Sequence, residues 1–418
     1  PSLGTGDYRT PACIIKNTDR TYCSDFRYES HRIRDGKYSL KGLPAVYADD
    51  SEAQTLEVVL QDRVTGVQAV LLYGVLPEYD IITRSVRIVN ASSGHISVKK
   101  LAPACLDMVG GQYDFITFYG RHAMERNMQR MPVGHGVQKI GSLRGSSSHQ
   151  YNPAVIMAEH ETTEDAGSCY SMVFVYSGGF QSEAGQDQYY QTRLLMGFPE
   201  EQFAYPLSAG EEFQSPEVIM SYSSEGLAKL SQNLHCCMRT HLCRGKYKEV
   251  VRPILLNSWE ASYFDFTGES LLKLASEAAK LGIEMFVLDD GWFGKRDSDM
   301  RGLGDWKVNE EKLGCTLGEL IGKINDMGLK FGIWIEPEMV NEDSDLYREH
   351  PDWAFVIPGR RPNRSRHQLV LDFSRKEVVD YIYNEICAVL DQGNVEYIKW
   401  DMNRSITDVY SATADSQG

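Results

Sequence analysis

A carboxylate and an ammonium group stand at the end of an apolar run near residue 400. Asp401 closes this run and lies two residues after Lys399, so both side chains point to the same side of a predicted strand. A nearby ammonium favours the ionised carboxylate, the form that attacks as a nucleophile at neutral pH. Glycosidic bonds are cleaved by two carboxyl groups, one of which attacks the anomeric carbon. The pattern fits Asp401 as such a nucleophile, and taken alone it fits a structural ion pair equally well.

Two adjacent carboxylates and two tryptophans follow other apolar runs. Asp289 and Asp290 can accept hydrogen bonds from neighbouring sugar hydroxyls, and the rings of Trp259 and Trp334 can cover C–H surfaces. Each motif also has an ordinary structural interpretation, since Asp-Asp-Gly is typical of a solvated turn or helix cap. Together they predict a sugar-binding pocket.

Several further side chains are candidates for the acid or for substrate contacts. Glu336, Glu338 and Asp372 also follow apolar runs, so chemistry alone leaves each of them open as the proton donor. Arg366 fits either a carboxylate or a substrate hydroxyl. Asn403 fits a sugar hydroxyl or the cap of a following helix.

The first half of the chain predicts antiparallel strands. Short runs rich in Val, Ile, Tyr, Phe and Thr alternate with polar residues and are separated by Gly, Asn, Asp and Ser. The clearest strands are predicted at 55–60, 67–72, 81–89, 154–159, 170–176 and 216–221. We therefore expect a large β-sandwich over residues 1–222.

The second half predicts a parallel α/β barrel. A helical linker is expected at 223–252, followed over 253–418 by strands at 254–259, 284–288, 330–335 and 396–400 that alternate with helices at 271–281, 317–327, 344–350 and 378–390. A doubly wound sheet has a similar rhythm, but no Gly-rich nucleotide loop follows these strands. A barrel collects its chemistry at the carboxyl ends of its strands, where the candidate residues lie.

Charge and composition exclude some classes of partner. The 418 residues carry a formal net charge of -15, which disfavours nucleic acid. No apolar run is long enough to span a bilayer. The nine cysteines lack zinc-site spacing and predict reduced thiols in a cytoplasmic protein.

Six ordered motifs resemble glycoside hydrolase family 36, the bacterial α-galactosidases that act on melibiose and raffinose-type sugars. They are NSWEASYFDF (257–266), LDDGWFG (288–294), GDW (304–306), GIWIEPEM (332–339), HPDW (350–353) and KWDMNR (399–404). The resemblance extends upstream through GLPA (42–45), ITRS (82–85) and the SSSHQ segment (146–150). It therefore covers nearly the whole chain.

The resemblance implies a β-supersandwich followed by a (β/α)8 barrel of TIM type, only partly covered by this chain, and a retaining double displacement without metal or other cofactor. It implies Asp401 as the nucleophile. The implied galactose contacts are Asp289, Asp290, Trp334, Arg366, Lys399 and Asn403, with Trp259 covering the neighbouring site. The expected partners are galactose-containing oligosaccharides and further copies of the chain, as a tetramer.

The chain departs from the family pattern in two respects. His122 stands near the place where similar enzymes have a pocket tryptophan, which predicts a wetter and titratable outer subsite. The family's acid/base aspartate follows the nucleophile in a segment beyond residue 418, so we expect that it is not in this chain and that the barrel has about half its strands. An α-N-acetylgalactosaminidase, a galactosyl-transferring enzyme and a non-catalytic galactose-binding fragment remain alternatives.

Overall fold

The computed structural model describes residues 2–414 of the chain. It forms two compact units, which divide between Glu249 and Val250. The predicted linker at 223–252 is helical over 226–242, and this helical part belongs to the first unit.

The first unit is built from antiparallel strands in three sheets. The strands are β1 (Cys13–Lys16), β2 (Arg27–Asp35), β3 (Gln54–Gln61), β4 (Val67–Leu76), β5 (Ile81–Asn90), β6 (Ile96–Leu101), β7 (Ala104–Val109), β8 (Tyr113–Arg121), β9 (Met124–Pro132), β10 (Gly136–Ser142), β11 (Tyr151–Glu159), β12 (Cys169–Val175), β13 (Phe180–Gln186), β14 (Gln191–Gly197), β15 (Tyr205–Leu207), β16 (Glu212–Gln214) and β17 (Glu217–Ser223). One sheet has the order β2-β3-β4-β5-β17-β12-β11-β8-β9, with β16 also paired to β5. The second sheet has the order β10-β13-β14-β7 and the third has the order β1-β6-β15.

The large sheet packs against both smaller sheets. Phe115 and Met172 on the large sheet share one apolar core with Phe180 of the four-stranded sheet. Val86 on the large sheet shares a second core with Val98 of the three-stranded sheet. Alternating apolar residues on facing strands thus bury the inner faces, and the predicted sandwich is confirmed.

Helix α1 (Gly226–Cys237) closes the first unit and continues as a π-helix over Met238–Leu242. Its buried Leu230 packs with Ile116 and Cys169 of the large sheet, and Cys237 packs with Ile219. The helix is therefore fastened to the sandwich by one apolar face.

The second unit contains a parallel sheet in the order β18-β19-β20-β23 and a short antiparallel pair, β21-β22. The strands are β18 (Leu255–Asn257), β19 (Met285–Leu288), β20 (Lys330–Ile335), β21 (Met339–Asn341), β22 (Gln368–Val370) and β23 (Val395–Trp400). The helices are α2 (Trp259–Ser262), α3 (Gly268–Lys280), α4 (Glu310–Leu313), α5 (Leu317–Asp326), α6 (Asp345–Glu349) and α7 (Lys376–Leu390). Strands and helices alternate as in a TIM-type barrel, of which this unit forms a part.

Local sequence sets where the helices of this unit begin and end. Thr267 and Thr316 each close a capping box at the start of α3 and α5. Gly282 and Gly328 follow these helices with φ of +84° and +83°, a conformation that glycine adopts without strain. The chain is thereby turned back into β19 and β20. Within residues 2–414, no helix combines the length and apolar character needed to cross a membrane.

Two parts of the barrel differ from the predicted elements. The strand expected at 254–259 ends at Asn257, because the side chain of Asn257 accepts a hydrogen bond from the Trp259 N–H at 2.8 Å and a one-turn helix begins there. The pair β21-β22 was not predicted, since its strands are only three residues long.

Candidate active site

The carboxyl ends of four neighbouring parallel strands meet at one edge of the sheet. Asn257 ends β18, and Asp289, Glu336 and Asp401 directly follow β19, β20 and β23. The strands are in parallel register, with Leu288 beside Ile333 and Ile335 beside Trp400. Residues far apart in the chain are therefore brought to the same edge, as the sequence predicted.

Asp289 receives the ammonium group of Lys399. Its Oδ2 accepts a hydrogen bond from Lys399 Nζ at 2.8 Å and another from Asn257 Nδ2 at 2.6 Å, and its Oδ1 accepts from the Asp290 N–H at 2.9 Å. The Asp289 side chain is only 4% exposed. The expectation that the Lys399 ammonium stabilises the ionised form of Asp401 was wrong. Lys399 forms its ion pair with Asp289, which follows another strand.

Asp401 is held by neutral N–H groups. Its Oδ2 accepts from Trp334 Nε1 at 3.0 Å and from Asn403 Nδ2 at 2.9 Å, while its Oδ1 accepts from the Met402 N–H at 3.1 Å. Its own N–H donates to the Ile335 carbonyl at 2.8 Å. An ionised carboxylate can accept all three donors, so the arrangement suits a nucleophile of fixed orientation.

Asp290 is paired with a cation that the sequence interpretation missed. Arg296 donates from Nε to Asp290 Oδ1 at 2.9 Å and from Nη2 to Oδ2 at 2.7 Å, and from Nη1 to Asn341 Oδ1 at 3.0 Å. Burial raises the pKa of Asp290, and Arg296 opposes that rise. No spacing rule identifies Arg296, because it lies in an irregular loop six residues after its partner.

Arg366 and Asn403 contact each other beside Asp401. Arg366 Nη1 donates to Asn403 Oδ1 at 2.9 Å, and the Arg366 side chain is otherwise exposed. Arg366 and His367 have φ of +52° and +60°. This left-handed backbone is uncommon away from glycine and often marks functional loops.

The two predicted pocket tryptophans differ in exposure. Trp334 is 2% exposed and packs against Phe293 and Trp306, so it meets the site mainly through the N–H that it donates to Asp401. Trp259 is half-buried and is held edge-on by Tyr263 and Phe264. Trp259 is therefore the ring with surface left for a ligand.

The carboxylates that the sequence left open as the proton donor accept hydrogen bonds from other protein groups. Glu336 is fully buried and accepts from the Asn403 N–H at 2.6 Å and from Gln368 Nε2 at 2.9 Å. Burial raises its pKa. A buried side chain with these partners has no free path to a leaving oxygen.

Glu338 and Asp372 lie outside the cluster. Both oxygens of Glu338 accept from Trp400 Nε1 at 3.0 Å, and Trp400 lies on the strand between Lys399 and Asp401, whose side chains point the other way. Asp372 accepts from the N–H and hydroxyl of Ser374 and shapes the turn before α7. We conclude that these two carboxylates have structural roles.

His122 belongs to the first unit. It lies in the exposed turn between β8 and β9, next to Ala123, whose φ is +61°. Its contribution to an outer subsite stays a prediction.

Two family models match the chain. The model for the glycosyl hydrolase family 36 N-terminal domain matches residues 1–208, and the melibiase model matches residues 212–418. The two matches correspond to the sandwich and to the part of the chain that contains the barrel strands.

Similar proteins cover nearly the whole chain. The bifunctional alpha-galactosidase/sucrose kinase AgaSK of Mediterraneibacter gnavus is 62% identical over 98% of the chain, and its galactosidase domain has a solved structure with a TM-score of 0.97 that covers 98% of this chain and 57% of that one. Alpha-galactosidase Mel36A of Lactobacillus acidophilus is 44% identical over 100% of the chain. The GH36 alpha-galactosidase AgaB of Geobacillus stearothermophilus has a TM-score of 0.98 and 43% identity, covering 100% of this chain and 58% of that one. The chain spans about half the length of the curated relatives it matches, for example 44% of AgaSK and 57% of Mel36A.

Proposed function

Because the chain belongs to glycoside hydrolase family 36, we propose that the protein hydrolyses terminal, non-reducing α-D-galactosyl residues of melibiose- and raffinose-type oligosaccharides. The observation that carries this proposal is the cluster at four strand ends, in which Asp401 is oriented by Trp334 and Asn403 while the half-buried Lys399 pairs with the buried Asp289. Carboxylates, amides and a cation converging at barrel strand ends suit a hydroxyl-rich ligand.

The proposed reaction is a double displacement with retention. The Asp401 carboxylate attacks C1 of the galactosyl unit and forms a β-galactosyl ester, while the leaving oxygen takes a proton from a carboxylic acid. Water then attacks C1 after giving its proton to the same group, which releases α-galactose and restores the Asp401 carboxylate. Glu336, Glu338 and Asp372 already accept hydrogen bonds from other groups, and we place the acid where the family resemblance implies it, beyond residue 418.

Selectivity for galactose is assigned to the adjacent carboxylates. Asp289 and Asp290 are proposed to accept the 4- and 6-hydroxyl groups, with Lys399 and Arg366 as donors to other ring hydroxyls. An equatorial 4-hydroxyl, as in glucose, could not donate to these carboxylates, and the lost charge-assisted hydrogen bond costs more than losing an apolar contact. Variants of the related AgaA have been solved in complex with raffinose and with stachyose, which supports this class of substrate.

We expect the complete protein to release nitrophenol from nitrophenyl α-galactoside and galactose from raffinose. Proton NMR of the first-formed sugar should show the α anomer before mutarotation, because two inversions at C1 give retention. The matched substrate is nitrophenyl 2-acetamido-α-galactoside, which should turn over at least about 100-fold more slowly if the pocket is built for a 2-hydroxyl.

Three outcomes would contradict the proposal. A first-formed β anomer would exclude double displacement, and faster turnover of the 2-acetamido substrate would assign the protein to α-N-acetylgalactosaminides. Galactosylated sucrose as the main product when sucrose is added would indicate transfer rather than hydrolysis.

We further propose that the protein assembles as a homotetramer. Edge strands β2 and β9 of the large sheet expose Ile33 and Met128, which are 63% and 56% exposed. An open sheet edge with apolar side chains is commonly covered by another chain. Sedimentation velocity should give four times the mass of the polypeptide, and a monomer at micromolar concentration would contradict this.

A cytoplasmic location is proposed on the state of the cysteines. All nine lie within the described residues as free thiols, the form that a reducing compartment maintains. Fractionation of the producing cells should recover the protein with cytoplasmic markers, and recovery from the medium would argue against it.

A further inference from the structure

The carboxylate of Glu336 connects two loops at the candidate active site. It follows β20 directly, between the strands that carry Asp289 and Asp401, and it is fully buried. One oxygen accepts from the Asn403 N–H at 2.6 Å and the other from Gln368 Nε2 at 2.9 Å. Each oxygen thus holds a different segment of chain.

The first loop contains the proposed nucleophile. Asn403 gives its backbone N–H to Glu336, its side-chain Nδ2 to Asp401 Oδ2 at 2.9 Å, and its Oδ1 accepts from Arg366 at 2.9 Å. A shift of the Asn403 backbone would therefore move a donor to Asp401. It would also move a predicted substrate contact.

The second loop contains Arg366. Gln368 lies two residues further on, after the left-handed Arg366 and His367, and its carbonyl accepts from Arg404 Nη1. Its side chain is tied to Glu336 through Nε2 alone, since its Oε1 is buried without a hydrogen-bond partner among the described residues. Glu336 is thus the acceptor that orients this amide.

We propose that Glu336 is a positioning residue, whose buried carboxylate sets the loops of Asp401 and Arg366 in register with each other. The inference rests on the proposed function, because its readout is hydrolysis of an α-galactoside. A carboxylate suits the task because both of its oxygens only accept, so two N–H donors from different loops are satisfied at once. Misplacement of reacting groups by about 1 Å costs on the order of 100-fold in rate.

The first experiment compares Glu336→Ala with Glu338→Ala in the complete protein. Both changes remove a carboxylate that follows β20, but Glu338 is half-buried, and among the described residues its side-chain oxygens accept only from Trp400. We expect kcat for nitrophenyl α-galactoside to fall about 100-fold in Glu336→Ala and less than about 3-fold in Glu338→Ala. The inhibition constant of free galactose should rise in Glu336→Ala, because Asn403 and Arg366 are proposed substrate contacts, but by a smaller factor than the fall in kcat, since Asp289, Asp290 and Lys399 keep their hydrogen bonds.

The second experiment holds even if Glu336→Ala fails to fold. Gln368→Glu places two carboxylates face to face and should lower kcat about 30-fold. Combining it with Glu336→Gln restores one donor and one acceptor between the two side chains. The double variant should therefore have a kcat at least about 10-fold higher than that of Gln368→Glu alone. A double variant no better than Gln368→Glu, or equal losses in the Glu336 and Glu338 variants, would overturn the positioning role. Absence of turnover in the unmodified protein would instead refute the proposed function.

Discussion

Replacing Asp401 with alanine should lower turnover of raffinose by about 10⁴-fold or more, because no other group can form the galactosyl ester. Binding should persist, since the Lys399–Asp289 pair and the Arg296–Asp290 pair do not involve Asp401. The measurement is kcat for raffinose, together with the dissociation constant of galactose by titration calorimetry. We expect that constant to change by less than about 10-fold.

Added azide gives a sharper readout of the same variant. With an aryl α-galactoside, whose leaving group needs no proton, azide can occupy the space of the missing carboxylate and attack C1, and the product would be β-galactosyl azide. Glu396→Ala is a suitable control, because Glu396 lies near the start of the strand that Asp401 directly follows. Retained hydrolysis in Asp401→Ala, or azide stimulation in the control, would contradict the assignment of the nucleophile.

Replacing Asp289 with alanine should lower kcat/KM by about 100- to 1000-fold, with most of the effect in KM. The change removes an acceptor for substrate hydroxyls and leaves Lys399 and Asn257 without their shared partner. Water can reach the Lys399 ammonium, whose side chain is 35% exposed, so part of the lost pairing is compensated by solvent. Steady-state kinetics with nitrophenyl α-galactoside measure the effect.

The coupling between Asp289 and Lys399 can be tested in a double-mutant cycle. Asp289→Asn keeps the size of the side chain, and Lys399→Met keeps most of its length, so each removes the charge with little change in volume. If the pair acts as a unit, the double variant should be less impaired than the sum of the single losses. Strictly additive losses would show that the two residues act independently.

Sequence patterns predicted the secondary structure of the barrel closely where strands are long and buried. The strand predicted at 330–335 and the helix predicted at 378–390 stand out through apolar spacing, and the structure has them at Lys330–Ile335 and Lys376–Leu390. Strand exits then located Asp289 and Asp401 at one edge. Patterns of this kind depend only on neighbours in the chain.

Such patterns could not predict which side chains pair across different strands and loops. The spacing of Lys399 and Asp401 shows that they share a side of the strand, but the partner of the ammonium follows β19, which lies two strands away in the sheet and more than 100 residues away in the chain. The same holds for Arg296 and Gln368, which lie in irregular segments and gain their roles only from tertiary contacts. Glu336 was left open as the proton donor because the sequence does not show that its side chain is buried.

The pairing of Lys399 with Asp289 also bears on how the protein is made. These residues are separated by 110 positions, so a ribosome that has just completed β19 must add more than a hundred residues before the ammonium exists. At about 5–20 residues per second, the nascent chain carries the Asp289 carboxylate without its counterion for several seconds. Until then Asn257, the Asp290 N–H and water are the donors available to that carboxylate, and its charge is not neutralised by Lys399. The catalytic end of the barrel is thus expected to mature later in synthesis than the sandwich, whose strands are all complete before residue 224 is added.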